Sequence, residues 1–395
     1  MKTACAQAFF ELSGRQKKQT FSFQIVRNLI IVQANLNGTG PYNFVLDTGV
    51  GIFLITDPNL VDSLHLQEKR SIEIQGLASA ERMEAWVTPS VRVDIKHISC
   101  PSLPAAILKK DYFGLSSYAG IPIHGLIGYE FFSSFGVRID FISQSITVSR
   151  PDVIRPLRKS EQIPLFVEER KPYIKANVKL RDGRNMPVKL VVDLGAGHPL
   201  LLERISAAYF GLPNTFILAN LGVGLGGPIS GYLSRINLLQ IGDFTLNQVI
   251  TSFPFNDPKD GAPYIYRVQR DGNLGIGVLR RFLVMFDYAH GVLYLRKNGR
   301  FTEPFEHDMS GIEYYASGDK FNRIFISRVE PGSAADSAGI TSGDEILAIN
   351  LKGVELMSTA EIDEIFRSKD QRNLLIELVH NREREVVILR LRRRI

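Results

Sequence analysis

Two stretches decide the fold: Phe44-Val45-Leu46-Asp47-Thr48-Gly49-Val50-Gly51 and Leu190-Val191-Val192-Asp193-Leu194-Gly195-Ala196-Gly197. Each is an apolar run that ends in Asp-x-Gly-x-Gly. A lone Asp-x-Gly is an ordinary turn, because Asp bonds its own backbone and Gly tolerates positive φ. Here apolar residues also follow, as Ile52-Phe53-Leu54-Ile55 and Pro199-Leu200-Leu201-Leu202. An acid flanked in this way is expected to be partly buried, where its ionisation is costly and its pKa is movable.

The likeness extends in both directions. Upstream, Leu29–Leu36 and Tyr173–Leu180 read as strands, and Asn37-Gly38 and Asp182-Gly183 follow them as hairpin turns. Downstream, an apolar-Gly element is followed by a strand in each copy. In the first it is Gly125-Leu126-Ile127-Gly128 and then Val137–Phe141. In the second it is Leu274-Gly275-Ile276-Gly277 and then Val284–Tyr288. Four features in the same order, twice, indicate a duplicated lobe; the period is too long for a solenoid. Strand alternation with frequent Gly turns makes each lobe mostly β. The expected division is a tail over 1–20, one lobe over 21–152, a second over 160–300, and Pro-bearing linkers at 151–164 and 301–305.

If the lobes face one another about a pseudo-two-fold axis, Asp47 and Asp193 meet. Two carboxyls in contact cannot both ionise cheaply, so they share a proton and titrate as a pair. One is then an acid and the other a base, able to activate a water against an amide carbonyl. Asp47-Thr48-Gly49 with Leu126-Ile127-Gly128, and Asp193-Leu194-Gly195-Ala196 with Gly275-Ile276-Gly277, resemble the paired motifs of pepsin-like and retropepsin-like aspartic peptidases. The resemblance covers roughly residues 25–298. It implies two closed β lobes in a bilobal unit, catalysis by Asp47 and Asp193, and support from Thr48, Gly49, Gly195 and Ala196. It implies peptide or unfolded-protein substrates and no cofactor. It also implies hairpin flaps over the cleft, at Gly76 and Leu77 in the first copy and at Gly224, Leu225 and Gly226 in the second. In that family the motif Thr of each lobe bonds across to the other loop. Thr48 can do this and Leu194 cannot, which leaves a non-catalytic peptide-binding scaffold of the same fold as the alternative.

Beyond residue 316 the pattern changes. The string Val329-Glu330-Pro331-Gly332-Ser333-Ala334-Ala335, then Ala338-Gly339-Ile340 and Gly343-Asp344-Glu345-Ile346-Leu347, resembles a PDZ domain of the permuted bacterial type, expected over 316–395. Such a domain binds by adding a peptide strand to a sheet edge beside a helix. The expected edge is Arg323, Ile324, Phe325 and Ile326, facing Ile362 on the helix 358–367. The family's carboxylate-binding loop is not visible; Ser317–Phe321 occupies its place. The groove is therefore expected to dock an internal segment or the peptidase unit, and it offers a route to a protein partner or to self-association.

Composition narrows the rest. The net charge of +6 sits largely in short runs such as Arg390–Arg394, without the basic, aromatic-bearing stripe that nucleic-acid binding requires. The two cysteines, Cys5 and Cys100, make no disulfide framework, a bridge between them is disfavoured by the terminal position of Cys5, and no metal-ligand spacing occurs. The seven histidines are scattered, with His198 beside the second acid loop. No apolar run is long enough to span a membrane. Met1-Lys2 and Ala6-Gln7-Ala8 fit the two ends of a signal peptide but lack its apolar middle. Export to the periplasm or cell envelope is the resulting expectation.

Overall fold

The structure is a computed structural model that describes residues 9–66, 68–75, 82–203, 215–224, 227–255 and 268–395. Met1–Ala8, with Cys5 and the leader-like ending, lie outside them, as do Gly76, Leu77, Leu225 and Gly226. The molecule is mostly strand. Leu29–Leu36 alternates buried and exposed residues toward its end and pairs antiparallel with Thr39–Leu46, through a turn in which Asn37 and Gly38 both have positive φ. Thr39–Leu46 delivers the chain into Asp47.

The first lobe closes on itself. Gly125–Ile127 runs parallel to Thr39–Leu46 and antiparallel to Phe53–Ile55, which pairs parallel with Ile98–Leu108. Ile98–Leu108 pairs with Arg82–Ile95, which returns to Leu29–Leu36 and completes a barrel. The second lobe repeats the ring with Lys171–Lys179, Asn185–Asp193, Gly272–Gly275, Leu200–Leu202, Phe244–Pro254 and Gly227–Ile241. Between the lobes lies a six-stranded sheet. Its central pair is Gly136–Asp140 from one lobe and Phe282–Asp287 from the other, antiparallel, with Val137 opposite Phe286 and Ile139 opposite Val284. One continuous apolar core runs through both lobes. The arrangement is a pepsin-like bilobal unit made of two retropepsin-like barrels.

Three expectations change. Residues 9–20 are not a free tail. Phe10 is buried against Phe131, Glu11–Leu12 pairs with Ile98–Ser99, and Lys18–Ser22 forms an edge of the interlobe sheet. The C-terminal α+β domain begins before residue 316, with the strand Ile312–Ser317, whose Ile312, Tyr314 and Ala316 point into that domain's own core. Finally, Arg323, Ile324, Phe325 and Ile326 do not form the edge. Their strand, Arg323–Val329, is flanked by Ile312–Ser317 on one side and Glu345–Ile349 on the other, so its backbone is already paired. The edge on that side of the sheet belongs to Ile312–Ser317, and Glu383–Arg390 is the edge at the other end. Ile362 is fully buried on the helix Thr359–Phe366 that stands beside it.

Candidate active site

The two Asp loops meet at the lobe junction. Asp47 accepts from Gly49 N–H at 2.6 Å, and Asp193 accepts from Gly195 N–H at 3.0 Å. Each carboxyl also lies over the glycine of the opposite loop. A Cβ on Gly49 would stand 2.8 Å from Asp193 Oδ1, and a Cβ on Gly195 would collide with the Asp47 carboxyl. The glycines are needed for this close approach. The two carboxyls thus face each other across the junction, and burial together with the Asp193 charge raises the Asp47 pKa well above its ordinary value.

Thr48 is fully buried and bridges the lobes. Its hydroxyl donates to Val192 O at 2.6 Å and accepts from Leu194 N–H at 3.0 Å. Leu194 makes no return bond; its side chain is fully buried in the core. A second cross-lobe clasp is present in both directions. The turn Arg27-Asn28 lies against the second Asp loop, where Asn28 Nδ2 donates to Gly197 O at 3.1 Å. The turn Glu169-Arg170 lies against the first, where Arg170 Nη1 donates to Gly51 O at 3.1 Å. Both are two-residue hairpin turns with positive φ at each position. Gly51 and Gly197 hold matching positions, four residues beyond their acids.

The strand register identifies the second apolar-Gly element. Ile127 pairs with Leu46, and Leu274 pairs with Val192, so Leu126-Ile127-Gly128 corresponds to Asn273-Leu274-Gly275. The bonds after it agree: Tyr129 N–H donates to Val50 O, and Ile276 N–H donates to Ala196 O. The expected match, Gly275-Ile276-Gly277, is two residues too late; Ile276 and Gly277 belong to the helix Ile276–Leu279. The corrected register exposes a site residue that sequence reasoning missed. Asn273 stands where the first lobe has Leu126, and its Nδ2 donates to Asp193 Oδ2 at 2.9 Å.

Three more side chains lie near the two acids. Lys171 stands where the first lobe has Leu29. Burial and the nearby Arg270 lower its pKa, while Asp193, Asp47 and Glu203 favour its charge. Arg270 itself forks onto Glu203 at 3.1 and 2.6 Å. Among the described residues the buried Tyr288 hydroxyl has no hydrogen-bond partner; burial and the Asp47 charge raise its pKa. Burial lowers the His198 pKa to about 4, so the ring is neutral beside Asp193 across the physiological range. Of the expected flap residues, Gly224 ends the strand Ile217–Gly224, which pairs back onto Gly227–Ile241 as a hairpin. Arg70–Gln75 and Arg82–Val87 form the matching hairpin of the first lobe. Among the described residues no cluster of metal-ligating side chains occurs.

Residues 32–131 match the family model described as aspartyl protease, and residues 303–378 match that of the PDZ domain. The chain carries an aspartyl protease domain and a C-terminal PDZ domain. The protease match lies within the first lobe; the second lobe of the protease unit is identified by its repeated barrel and loop. No curated protein matches the chain. Among solved structures, the chain is similar to the photosystem II D1 C-terminal processing protease, with 18% identity, a TM-score of 0.21, and coverage of 22% of this chain and 23% of that one. No helix among the described residues is long and apolar enough to cross a membrane.

Proposed function

We propose that the protein is an aspartic endopeptidase that cleaves extended or unfolded polypeptides with Asp47 and Asp193, and that its PDZ domain docks a substrate or partner. The observation that carries this reading is the placement of the two carboxyls at the lobe junction, each over the other loop's glycine. The environments of the two acids assign their roles. Asp193 accepts two hydrogen bonds, from Gly195 N–H and from Asn273 Nδ2, where Asp47 accepts one, from Gly49 N–H. In this reading the less-bonded Asp47 holds the shared proton. A water between them gives a proton to Asp193 as its oxygen attacks the peptide carbonyl carbon, while Asp47 donates its proton to the carbonyl oxygen. Breakdown of the tetrahedral diol returns a proton to Asp47 and sends the one on Asp193 to the leaving amine.

The loss of a hydroxyl at Leu194 is the feature that favours a non-catalytic scaffold. Against it, the Thr48 bridge and both turn clasps hold the loops in the facing geometry. The test is cleavage of a reduced, unfolded protein by the parent chain and by Asp47→Asn and Asp193→Asn. General acid–base catalysis contributes about 100- to 10,000-fold, so each variant is expected to lose at least about 100-fold in kcat/KM. Equal turnover by parent and variants removes the dyad from the reaction. Peptide binding by the parent without turnover at any pH establishes the scaffold instead.

A further inference from the structure

The PDZ groove, between the free edge of Ile312–Ser317 and the helix Thr359–Phe366, is filled by the protease unit of the same chain. Arg27, at the tip of its two-residue turn, enters it. Its guanidinium lies between the rings of Tyr118 and Tyr314, 4.2 and 4.4 Å from their centroids. Its Nη1 donates to the edge carbonyl Tyr314 O at 3.3 Å and to Tyr118 O at 3.2 Å. Its Nε donates to Asp363 Oδ2 at 3.2 Å, and the two side chains are only 11% and 10% exposed. Asp363 is aimed by Tyr314, whose hydroxyl donates to Asp363 Oδ1 at 2.6 Å. Thr359 at the start of the helix donates to Ala119 O at 2.7 Å, and Gly120 leaves room for the Thr359 methyl, which a Cβ would meet at 2.7 Å.

The segment before the edge strand excludes a chain terminus as the ligand. There the N–H groups of Ser310 and Gly311 and the Ser310 hydroxyl all bond to Asp308 Oδ1, at 3.0, 2.7 and 2.7 Å. A half-buried carboxylate of the chain itself thus occupies the donors nearest the strand. What a ligand would meet once Arg27 leaves is the strand edge, the aromatic pair and the buried Asp363, which Arg367 also pairs at 3.5 Å. A planar guanidinium fits that set, by stacking and by forked donation, in a way a point charge does not.

We propose that this groove is a binding site for an internal, arginine-bearing peptide strand, and that Arg27 is its resident competitor. A ligand arginine replaces the Arg27 guanidinium between Tyr118 and Tyr314, and the ligand backbone takes the edge at Tyr314. The inference deepens the reading of the PDZ domain as a docking module and is independent of the dyad. Because Arg27 is tethered, it acts at high effective concentration, and the apparent affinity for an external ligand falls by the fraction of grooves it leaves open. Displacing it also acts one residue from Asn28, which holds Gly197 in the second Asp loop.

The test uses the full chain with Asp47→Asn, so that the probe stays intact whatever the fate of the peptidase reading. The probe is a fluorescein-labelled peptide copying residues 24–30, Gln-Ile-Val-Arg-Asn-Leu-Ile, read by anisotropy. Adding Arg27→Ala to the protein is expected to tighten binding by about 10-fold or more. Adding Asp363→Asn to that variant is expected to abolish the gain, and a probe with alanine in place of its arginine is expected not to bind. Arg27→Lys keeps the positive charge but not the fork, and is expected to give a smaller gain; it carries the test if Arg27→Ala fails to fold. Affinity unchanged by both Arg27 variants, or equal binding of the arginine and alanine probes, overturns the proposal.

Discussion

The two Asp loops are copies of one design, and they differ at the positions that matter for chemistry. Thr48 of the first lobe corresponds to Leu194 of the second, Leu126 to Asn273, and Leu29 to Lys171. The first lobe supplies the hydroxyl that locks the junction. The second supplies the amide that bonds Asp193 and a lysine whose charge both acids favour. A symmetric dyad has no intrinsic preference for which acid is ionised. Here Asn273 binds only Asp193, and Asp47 lacks any such donor because Leu126 stands in its place. The comparison teaches that the departure at Leu194 is one of a set, and that the set makes the pair asymmetric without separating it.

Removing the lock from the first lobe should have the largest effect on stability. Thr48→Val leaves the buried Leu194 N–H without its acceptor and Val192 O without its donor. The expected loss is about 1–3 kcal/mol in urea unfolding. Leu194→Thr, the mirror change, exchanges a packed leucine for a possible second bridge, so its loss should be smaller than that of Thr48→Val. Equal losses would mean that the junction does not depend on the Thr48 hydroxyl.

A smaller effect is expected from giving the second lobe the first lobe's residue. Asn273→Leu removes a hydrogen bond that stabilises ionised Asp193, so the lower apparent pKa of the pair rises. The acid limb of the kcat/KM profile should then move to higher pH by about one unit. A limb that stays in place would remove Asn273 from the electrostatics of the dyad.

These differences also explain what the sequence makes legible. The acids, the glycines and the duplication are visible because each is written twice in the same order. Asn273 is hidden by that same habit of matching. Leu274-Gly275-Ile276-Gly277 offers two apolar-Gly pairs, and only the pairing of Leu274 with Val192 selects the first. Spacing carried the clue: Gly128 lies 81 residues after Asp47 (128 − 47), and Gly275 lies 82 after Asp193 (275 − 193). In the PDZ domain the strand Arg323–Val329 is plain from its composition, but edge status is a property of sheet order, which is set by long-range pairing. The alternation Ile312, Tyr314, Ala316 marked the true edge strand, and the two adjacent tyrosines blurred it. The contact of Arg27 with Asp363 spans 336 residues, beyond the reach of local pattern.

The central claim is that the two carboxyls share a proton in the folded protein. It is tested without any substrate by comparing unfolding free energies of the parent chain and Asp47→Asn across pH. The folded pKa of Asp47 lies above its ordinary value of 3.8. Its contribution to stability is therefore fully present below the unfolded value and is lost as pH rises through the folded one. The amide in Asp47→Asn cannot ionise. The account predicts that the parent loses stability relative to this variant as pH rises from about 4 to 8. Stability curves that run parallel over that range would contradict it.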